Sequence, residues 1–150
     1  MTRARTTLAV TGAALALVGA SAVVTSDPLL IWNVSASVPI GFYAVTPIAR
    51  PDVGDLVALR PPEPLGRWLV ESGYLGSDTP LLKRVAALPG SEVCRHGTTI
   101  IIDGHVVAEA QLRDRLGRPL TAWRGCRTLR DGVLFLLNAD HPASLDGRYF

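Results

Sequence analysis

Lys83 stands inside an apolar, strand-like run, in the segment Leu81-Leu-Lys-Arg-Val-Ala-Ala-Leu-Pro-Gly90. Its neighbours Leu82 and Val85 predict a half-buried strand, which ends at Pro89-Gly90. Because burial disfavours the ammonium form, a lysine in such a strand has a lowered pKa. A neutral amine of this kind is a general base that can activate a hydroxyl near neutral pH. The alternative is a lysine at a strand edge whose amine reaches solvent.

A hydroxyl that Lys83 could activate lies upstream, in Ser35-Ala-Ser37-Val-Pro39. Pro39 restricts its own backbone and biases Val38 toward an extended conformation, so Ser37 lies in a stiff, non-helical stretch. We predict that Ser37 is the nucleophile and Lys83 the general base of a serine–lysine dyad. Ser35 lies on the same side of an extended backbone, and its hydroxyl is predicted to help the Ser37 N–H hold the oxyanion. For each serine the alternative is an ordinary loop residue.

Composition excludes several classes of function. The formal net charge is only +2, from 15 basic and 13 acidic residues, and no stripe of like charge predicts nucleic acid binding. The three histidines and two cysteines lack the spacing of metal ligands, so we predict no metal and no cofactor. Hydrophobic residues make up 48% of the chain and are concentrated near the N-terminus, which indicates an apolar segment there.

Residues 1–26 are predicted to be a membrane anchor or signal segment. Arg3 and Arg5 precede an uncharged stretch from Thr6 to Ser26, which is close to the length of a bilayer-spanning helix. Positive charge before this stretch would keep the N-terminus in the cytoplasm and export the rest of the chain. We therefore expect a single-pass inner-membrane protein whose residues 27–150 form a periplasmic domain. The alternative is a cleaved signal peptide, because Ala20-Ser21-Ala22 has the form of a cleavage site.

Cys94 and Cys126 are the only two cysteines, and we predict a disulfide between them because an exported domain meets an oxidising compartment. Closing a loop of this size stabilises a fold by roughly 3–4 kcal/mol in the chain-entropy description. The alternative is a pair of buried free thiols.

Short apolar runs separated by proline and glycine predict a mainly β domain with packed or coiled sheets. Thr99-Ile-Ile-Ile-Asp103-Gly104-His105-Val-Val predicts a hairpin with a type I′ turn. The spacing of apolar residues from Leu65 to Leu75 predicts one short helix. Residues 109–128 are polar and form a long excursion. Further strands are predicted over 41–45, 55–59, 81–88 and 132–137.

Three segments, in order, resemble the conserved boxes of the type I signal peptidase family. The segments are Asn33-Val-Ser-Ala-Ser37-Val-Pro-Ile-Gly-Phe-Tyr43, Leu82-Lys83-Arg-Val-Ala-Ala-Leu-Pro-Gly90 and Leu137-Asn-Ala-Asp-His-Pro-Ala-Ser144-Leu-Asp146-Gly-Arg148-Tyr-Phe150. The first box continuing into Gly-Phe-Tyr and the Cys-containing excursion with Gly117-Arg-Pro-Leu120 are similar to the conjugative-transfer, TraF-type branch. The resemblance covers residues from about 30 to 150.

The resemblance implies a signal-peptidase-like, LexA-like β-rich catalytic domain in which Ser37 is the nucleophile and Lys83 the base. It implies that Ser35 lines the oxyanion hole and that Ser144 and Asp146 lie beside Lys83 and orient it. Asp146 could instead be a turn carboxylate paired with Arg148. An aspartate close to Lys83 would favour the charged amine, so its benefit would have to be positional.

The implied substrates are exported preproteins cut after a small residue, and in the conjugative branch a pilin precursor. Acyl transfer to the substrate's own N-terminus, giving a cyclic product, is the alternative to hydrolysis. The implied partners are the membrane and conjugation-pilus assembly proteins.

Two departures from the family pattern stand in the last box. Gly147 occupies the position of a serine, which removes a hydroxyl and adds backbone freedom. Family members continue beyond the position of Phe150 with a glycine and a further strand, so we expect an uncovered sheet edge or apolar surface here.

The sequence leaves two rival functions open. One is a LexA-like self-cleaving protein, against which the export segment and the lack of a DNA-binding helical module argue. The other is a catalytically silent, disulfide-stapled scaffold in a secretion or pilus assembly, which the two departures favour.

Overall fold

The computed structural model describes residues 2–23 and 30–150. Strands outnumber helices, so the prediction of a mainly β chain with little helix is confirmed. The helices are α1 (Thr2–Val23) and α2 (Leu65–Glu71). The strands are β1 (Leu30–Asn33), β2 (Gly41–Ala44), β3 (Leu56–Leu59), β4 (Leu81–Ala87), β5 (Glu92–His96), β6 (Thr99–Ile102), β7 (His105–Glu109), β8 (Gly125–Thr128) and β9 (Phe135–Leu136).

The described strands form three antiparallel sheets. Strands β1 and β2 pair as a hairpin, while β3, β4 and β9 form a second sheet with β4 in the centre. The third sheet has the order β7-β6-β5-β8. In the second sheet β3 pairs with β4 alone, so its other edge has no strand partner among the described residues.

The hydrophobic core lies between the second and third sheets. Strand β6 alternates between partly and fully buried residues, as expected of a strand with one face on a core. Burying a side chain such as that of Ile100 contributes about 1.5–3 kcal/mol. The core cluster consists of Ala87, Val93, Ile100, Ile102, Phe135 and Leu137.

The β6–β7 hairpin has the predicted turn. Asp103 and Gly104 both have positive φ, 48° and 82°, as a type I′ turn requires of its two central residues. The Asp103 side chain also accepts a hydrogen bond of 2.8 Å from the Glu92 N–H, which ties the turn to β5.

The predicted disulfide between Cys94 and Cys126 is present. The two cysteines face each other in the register of β5 and β8, so the bridge joins neighbouring strands and ties the end of the excursion to β5. A second anchor lies inside the excursion, where Asp114 accepts hydrogen bonds from the Tyr74 hydroxyl and the Arg118 guanidinium, each at 2.6 Å.

Most predicted elements are present, with shifted ends. The strands predicted from residues 41, 55 and 81 are β2, β3 and β4, and the predicted short helix is α2, which ends at Glu71. The strand predicted over 132–137 is shorter, because Val133 donates to the Arg130 carbonyl in a turn and pairing begins only at Phe135. Strands β1, β5 and β8 were not predicted, and β8 lies within the residues 109–128 that were expected to form a polar excursion. In β5 the buried Arg95 interrupts the apolar pattern.

The N-terminal segment contains helix α1 over Thr2–Val23. Within residues 2–23 and 30–150, no helix has both the length and the apolarity needed to span a bilayer. The helix break predicted at Ser26-Asp27-Pro28 lies outside the described residues.

Candidate active site

Lys83 lies in the central strand of the second sheet, with its side chain turned inward. The residue is only 5% exposed, and its Nζ donates a hydrogen bond of 2.8 Å to Ser144 Oγ. Burial lowers the pKa of the Lys83 amine, nearby Asp146 raises it and Arg148 lowers it again. The net direction is downward, toward the neutral amine that a general base requires.

The charges beside Lys83 form a buried ion pair. Arg148 contacts the Asp146 carboxylate through Nε and Nη2, each at 2.8 Å, and both side chains are almost completely buried. This two-point geometry is the strong form of the arginine–carboxylate contact. Asp146 therefore pairs with Arg148, and its charge also acts on Lys83, while its predicted role in orienting Lys83 stays a prediction. Because Arg148 offsets the carboxylate charge, Asp146 does not force the amine to stay protonated.

Arg148 also organises the loop that carries Ser144. Its Nη2 donates to the carbonyls of His141 and Ser144, at 2.9 and 3.1 Å. Arg95, buried in β5, donates in turn to the Arg148 carbonyl. The final segment is thereby tied to β5 through Arg95 and to β4 through the bond between Ser144 and Lys83.

Gly147 stands where the family pattern has a serine, and its surroundings explain the departure. A Cβ at this position would lie 2.6 Å from Cε2 of the Phe135 ring and 2.9 Å from the Leu136 carbonyl oxygen. No side chain fits there without movement of β9. The Phe135 ring therefore occupies the space that a serine at position 147 would need.

Ser35 and Ser37 lie in the turn between β1 and β2. Their Oγ atoms are 3.0 Å apart, and Ser35 Oγ also donates to Asn33 Oδ1 at 2.9 Å. Buried Asn33 closes the turn, since its Nδ2 donates to the carbonyls of Ser35, Val38 and Pro39. Sequence reasoning missed this role, although asparagine directly before a short polar segment is typical of side-chain-closed turns.

The predicted site therefore appears in two parts. Lys83 is together with Ser144 and Asp146, whereas Ser37 is together with Ser35. Among the described residues no hydrogen bond joins Ser37 to Lys83, whose amine bonds to Ser144 instead.

A cleft of about 610 Å³ lies between the β1–β2 hairpin and strand β3, and its lining includes neither Ser37 nor Lys83. The hairpin contributes Ile31 and Tyr43, and the central strand contributes Leu82, next to Lys83. Strand β3, whose edge away from β4 has no strand partner among the described residues, lines the cleft along its length. Backbone groups of this edge therefore face the cleft as well as apolar side chains. An extended peptide could add to such an edge. The remaining lining residues are Ala44, Val45, Thr46, Pro47, Ile48, Asp55, Arg60 and Pro80.

Residues 3–150 match the family described as signal peptidase, peptidase S26. The chain belongs to this family. It is similar to the conjugal transfer protein TraF of Agrobacterium fabrum (strain C58 / ATCC 33970), with 37% identity over 130 residues, covering 79% of this chain and 71% of that protein. It is also similar to the conjugal transfer protein TraF of Agrobacterium tumefaciens (strain 15955), with 31% identity over 166 residues, covering 100% of this chain and 89% of that protein. No solved structure matches. The predicted resemblance to the TraF-type branch of signal peptidases is thereby confirmed.

Cys94, His96 and Cys126 bring potential metal-ligand atoms within 4.8 Å of one another. Both sulfurs are bonded in the disulfide, and metal binding requires thiolates. In its oxidised form this S26 family member therefore has no thiolate to offer at that cluster.

Lys83 is the only lysine in the 150-residue sequence, and this count alone could have singled it out. All other basic residues of this peptidase-family chain, histidines aside, are arginines, which stay protonated near neutral pH. Among lysine and arginine side chains, Lys83 alone can act as a proton acceptor at that pH.

Proposed function

We propose that this chain is a serine endopeptidase that cleaves leader peptides from exported preproteins with Ser37 as nucleophile and Lys83 as general base. The observation that carries the proposal is the buried Lys83 amine, whose pKa burial lowers and whose Nζ bonds to Ser144 Oγ at 2.8 Å. Membership in the S26 signal peptidase family supports the same chemistry.

In the proposed reaction Lys83 takes the Ser37 hydroxyl proton as Oγ attacks the scissile carbonyl. Ser37 first exchanges its hydrogen bond with Ser35 for one with Lys83, as catalytic contacts often tighten only when substrate is bound. The Ser37 N–H and the Ser35 hydroxyl, which turns its hydrogen away from Asn33 Oδ1, hold the developing oxyanion, a contact that contributes about 3 kcal/mol in comparable sites. Lys83 then returns the proton to the leaving amine, and the acyl group remains on Ser37.

The supporting residues have separate roles in this proposal. Ser144 Oγ accepts one hydrogen of the Lys83 amine, so the lone pair of the neutral amine points away from Ser144. Asp146 orients the loop through Arg148, which neutralises its charge. Burial keeps the pKa of Lys83 lowered, and Arg148 offsets the opposing effect of the Asp146 charge.

The proposed substrate is an extended segment with small side chains, seated along β3 in the 610 Å³ cleft. The names of the two relatives, conjugal transfer protein TraF, support a role in conjugal transfer, and for that role we propose a pilin precursor as the exported preprotein. Water resolves the acyl-enzyme in a hydrolase. An incoming amine at the substrate's own N-terminus would instead give a cyclic product.

We propose that residues 27–150 work on the periplasmic side of the inner membrane, next to pilus assembly proteins. The positive charges of Arg3 and Arg5 before an uncharged stretch support export of the residues beyond that stretch. The Cys94–Cys126 disulfide supports an oxidising compartment. Residues 1–26 serve as a retained anchor or as a cleaved signal, and N-terminal sequencing of the mature protein distinguishes them.

The test is covalent labelling of Ser37 by a peptide-based acylating probe with alanine before the reactive carbonyl. Mass spectrometry of the full chain should show one acyl adduct in the wild type and none in Ser37→Ala or Lys83→Ala. Ser77→Ala is the matched control, because it removes an exposed serine hydroxyl that is not part of the predicted site, and it should label normally. Labelling that persists in either site variant would end the proposed dyad.

A silent scaffold is the second candidate function. It is favoured by the hydrogen bond of Lys83 to Ser144 in place of Ser37. The same probe decides between the two, since a scaffold would leave Ser37 unlabelled in the wild type while the protein stays folded.

A further inference from the structure

Asn138 follows β9 and is buried, with 4% of its surface exposed. Its Oδ1 accepts the Arg84 N–H at 3.0 Å, and its Nδ2 donates to the Leu82 carbonyl at 3.1 Å. These two backbone groups flank Lys83 on the β9 side of the central strand. A single carboxamide therefore spans the backbone on both sides of the lysine.

The side chain of Asn138 forms hydrogen bonds with the β4 backbone beyond the point where the pairing of β9 with β4 ends. Leu136 faces Val85 in the strand register, and the Leu137 N–H donates to the Arg84 carbonyl at 2.9 Å. Asn138 then continues the ladder with its side chain, because a carboxamide presents one acceptor and one donor as a peptide group does. On the other side, Lys83 faces Val57 of β3. The backbone of the base is thus held from both sides.

The main chain of Asn138 reaches the ion pair. Its N–H donates to Asp146 Oδ2 at 3.1 Å, and its carbonyl accepts from Arg148 Nη2 at 3.4 Å. One residue therefore joins the strand that carries Lys83 to the two charges beside it.

We propose that Asn138 is a positioning residue for the Ser37–Lys83 reaction, which sets the Lys83 amine against Ser144 and against the Asp146–Arg148 pair by clamping the backbone on both sides of the lysine. The proposal rests on the proposed function and adds a residue to it. Asn138 does not touch the reacting atoms, so it acts through Lys83.

We call the two hydrogen bonds of the Asn138 side chain, to Arg84 and Leu82, the clamp. The clamp determines which charged groups the Lys83 amine faces. From the final segment the amine faces Asp146, which raises its pKa, and Arg148, which lowers it, while burial is the main cause of the lowered value. The register partner in β3, whose four residues are all described, is the apolar Val57. Loss of the clamp lets water reach the amine, so the Lys83 pKa should rise toward the ordinary lysine value.

Because Lys83 is the only lysine, the experiment needs no resonance assignment. The full chain is produced with isotope-labelled lysine in the wild type and in Asn138→Ala, and the single side-chain signal is followed against pH by NMR. Asn138→Leu is the second variant, since it keeps the volume of the side chain and removes both hydrogen bonds. Ile100→Val, in the core cluster on β6, is the control for a general loss of stability.

We expect both Asn138 variants to move the Lys83 titration to higher pH and Ile100→Val to leave it unchanged. For peptide cleavage near neutral pH, kcat should fall on the order of 10²-fold with little change in KM, because misplacement of a catalytic group by about 1 Å has that effect. Raising the pH should restore part of the lost kcat.

A folded Asn138→Leu protein whose Lys83 titrates as in the wild type would overturn the clamp. A shift as large in Ile100→Val would also overturn it, since the effect would then be general. The titration is read without substrate, so it tests the clamp even if the wild type fails to react with an acylating probe. Failure of the clamp and failure of the peptidase proposal are therefore separate results.

Discussion

Lys83 Nζ donates its hydrogen bond to Ser144 Oγ, at 2.8 Å, across 61 positions of sequence. The amine is thus held by a hydroxyl of the last segment, and Ser37 must approach an amine that already has a partner. A neutral amine that donates to Ser144 keeps its lone pair free for another group. The hydrogen bond to Ser144 therefore fits a general base whose amine has a fixed orientation before substrate binds.

Ser144→Ala should slow peptide cleavage without unfolding the protein. The variant removes one hydrogen bond to the Lys83 amine, which contributes about 0.5–1.5 kcal/mol, so kcat should fall by roughly two- to tenfold. Steady-state kinetics and urea unfolding measure the two effects separately. Ser77→Ala is the matched serine control, and an unchanged kcat in Ser144→Ala would show that the hydroxyl does not orient the base.

Asp146→Asn should destabilise the fold more strongly. It leaves Arg148 as a buried charge without its counter-ion, and breaking such a pair costs about 3–5 kcal/mol. The double variant Asp146→Asn, Arg148→Met should recover part of this loss, because no unpaired charge remains. Urea unfolding of the single and double variants gives the comparison, and equal stability of the two would contradict a charge-based cause.

The sequence predicted local features better than long-range ones. The Asp103–Gly104 turn was predicted from residue type and the disulfide from an expected oxidising compartment, and both are present. The place of Ser144 and Asp146 beside Lys83 was inferred only through the family resemblance, since no local pattern links positions 61 residues apart. The strand β5 was missed because Arg95 is buried in it, where the distant carbonyls of Thr121 and Arg148 accept hydrogen bonds from its guanidinium.

Asn138 and Asn33 show the same limit. Each is a buried asparagine whose amide forms hydrogen bonds with backbone groups next to a predicted site residue. Their residue type indicates a turn, but the groups that they bind depend on tertiary packing. Gly147 is similar, because the ring that forbids a side chain there comes from Phe135.

Gly147→Ser, which restores the residue of the family pattern, should destabilise this protein. The new Cβ would lie 2.6 Å from the Phe135 ring, and overpacking of this kind typically costs about 1–3 kcal/mol. Combining it with Phe135→Leu should recover stability relative to the sum of the single variants, because the smaller side chain vacates the space. A double-variant cycle by thermal unfolding measures the coupling, and strictly additive losses would contradict the proposed contact.

Lys83→Met should make the protein more stable, and the gain should depend on pH. Burial lowers the pKa of Lys83 from its usual 10.5, so between the folded and the unfolded pKa the unfolded chain binds more protons. In that window the stability of the wild type rises with pH, and it falls as the pH is lowered toward the folded pKa. Methionine has no proton to bind, so this contribution disappears in the variant.

The difference in unfolding free energy between Lys83→Met and the wild type should therefore be largest at the low end of the window and shrink as the pH approaches 10.5. Urea unfolding at several pH values gives both curves, and because Lys83 is the only lysine no other ammonium group of this type contributes. Ile100→Val should give a curve parallel to that of the wild type. A constant difference for Lys83→Met across the window would mean that the amine is charged in the folded protein, which would leave Ser37 without its base.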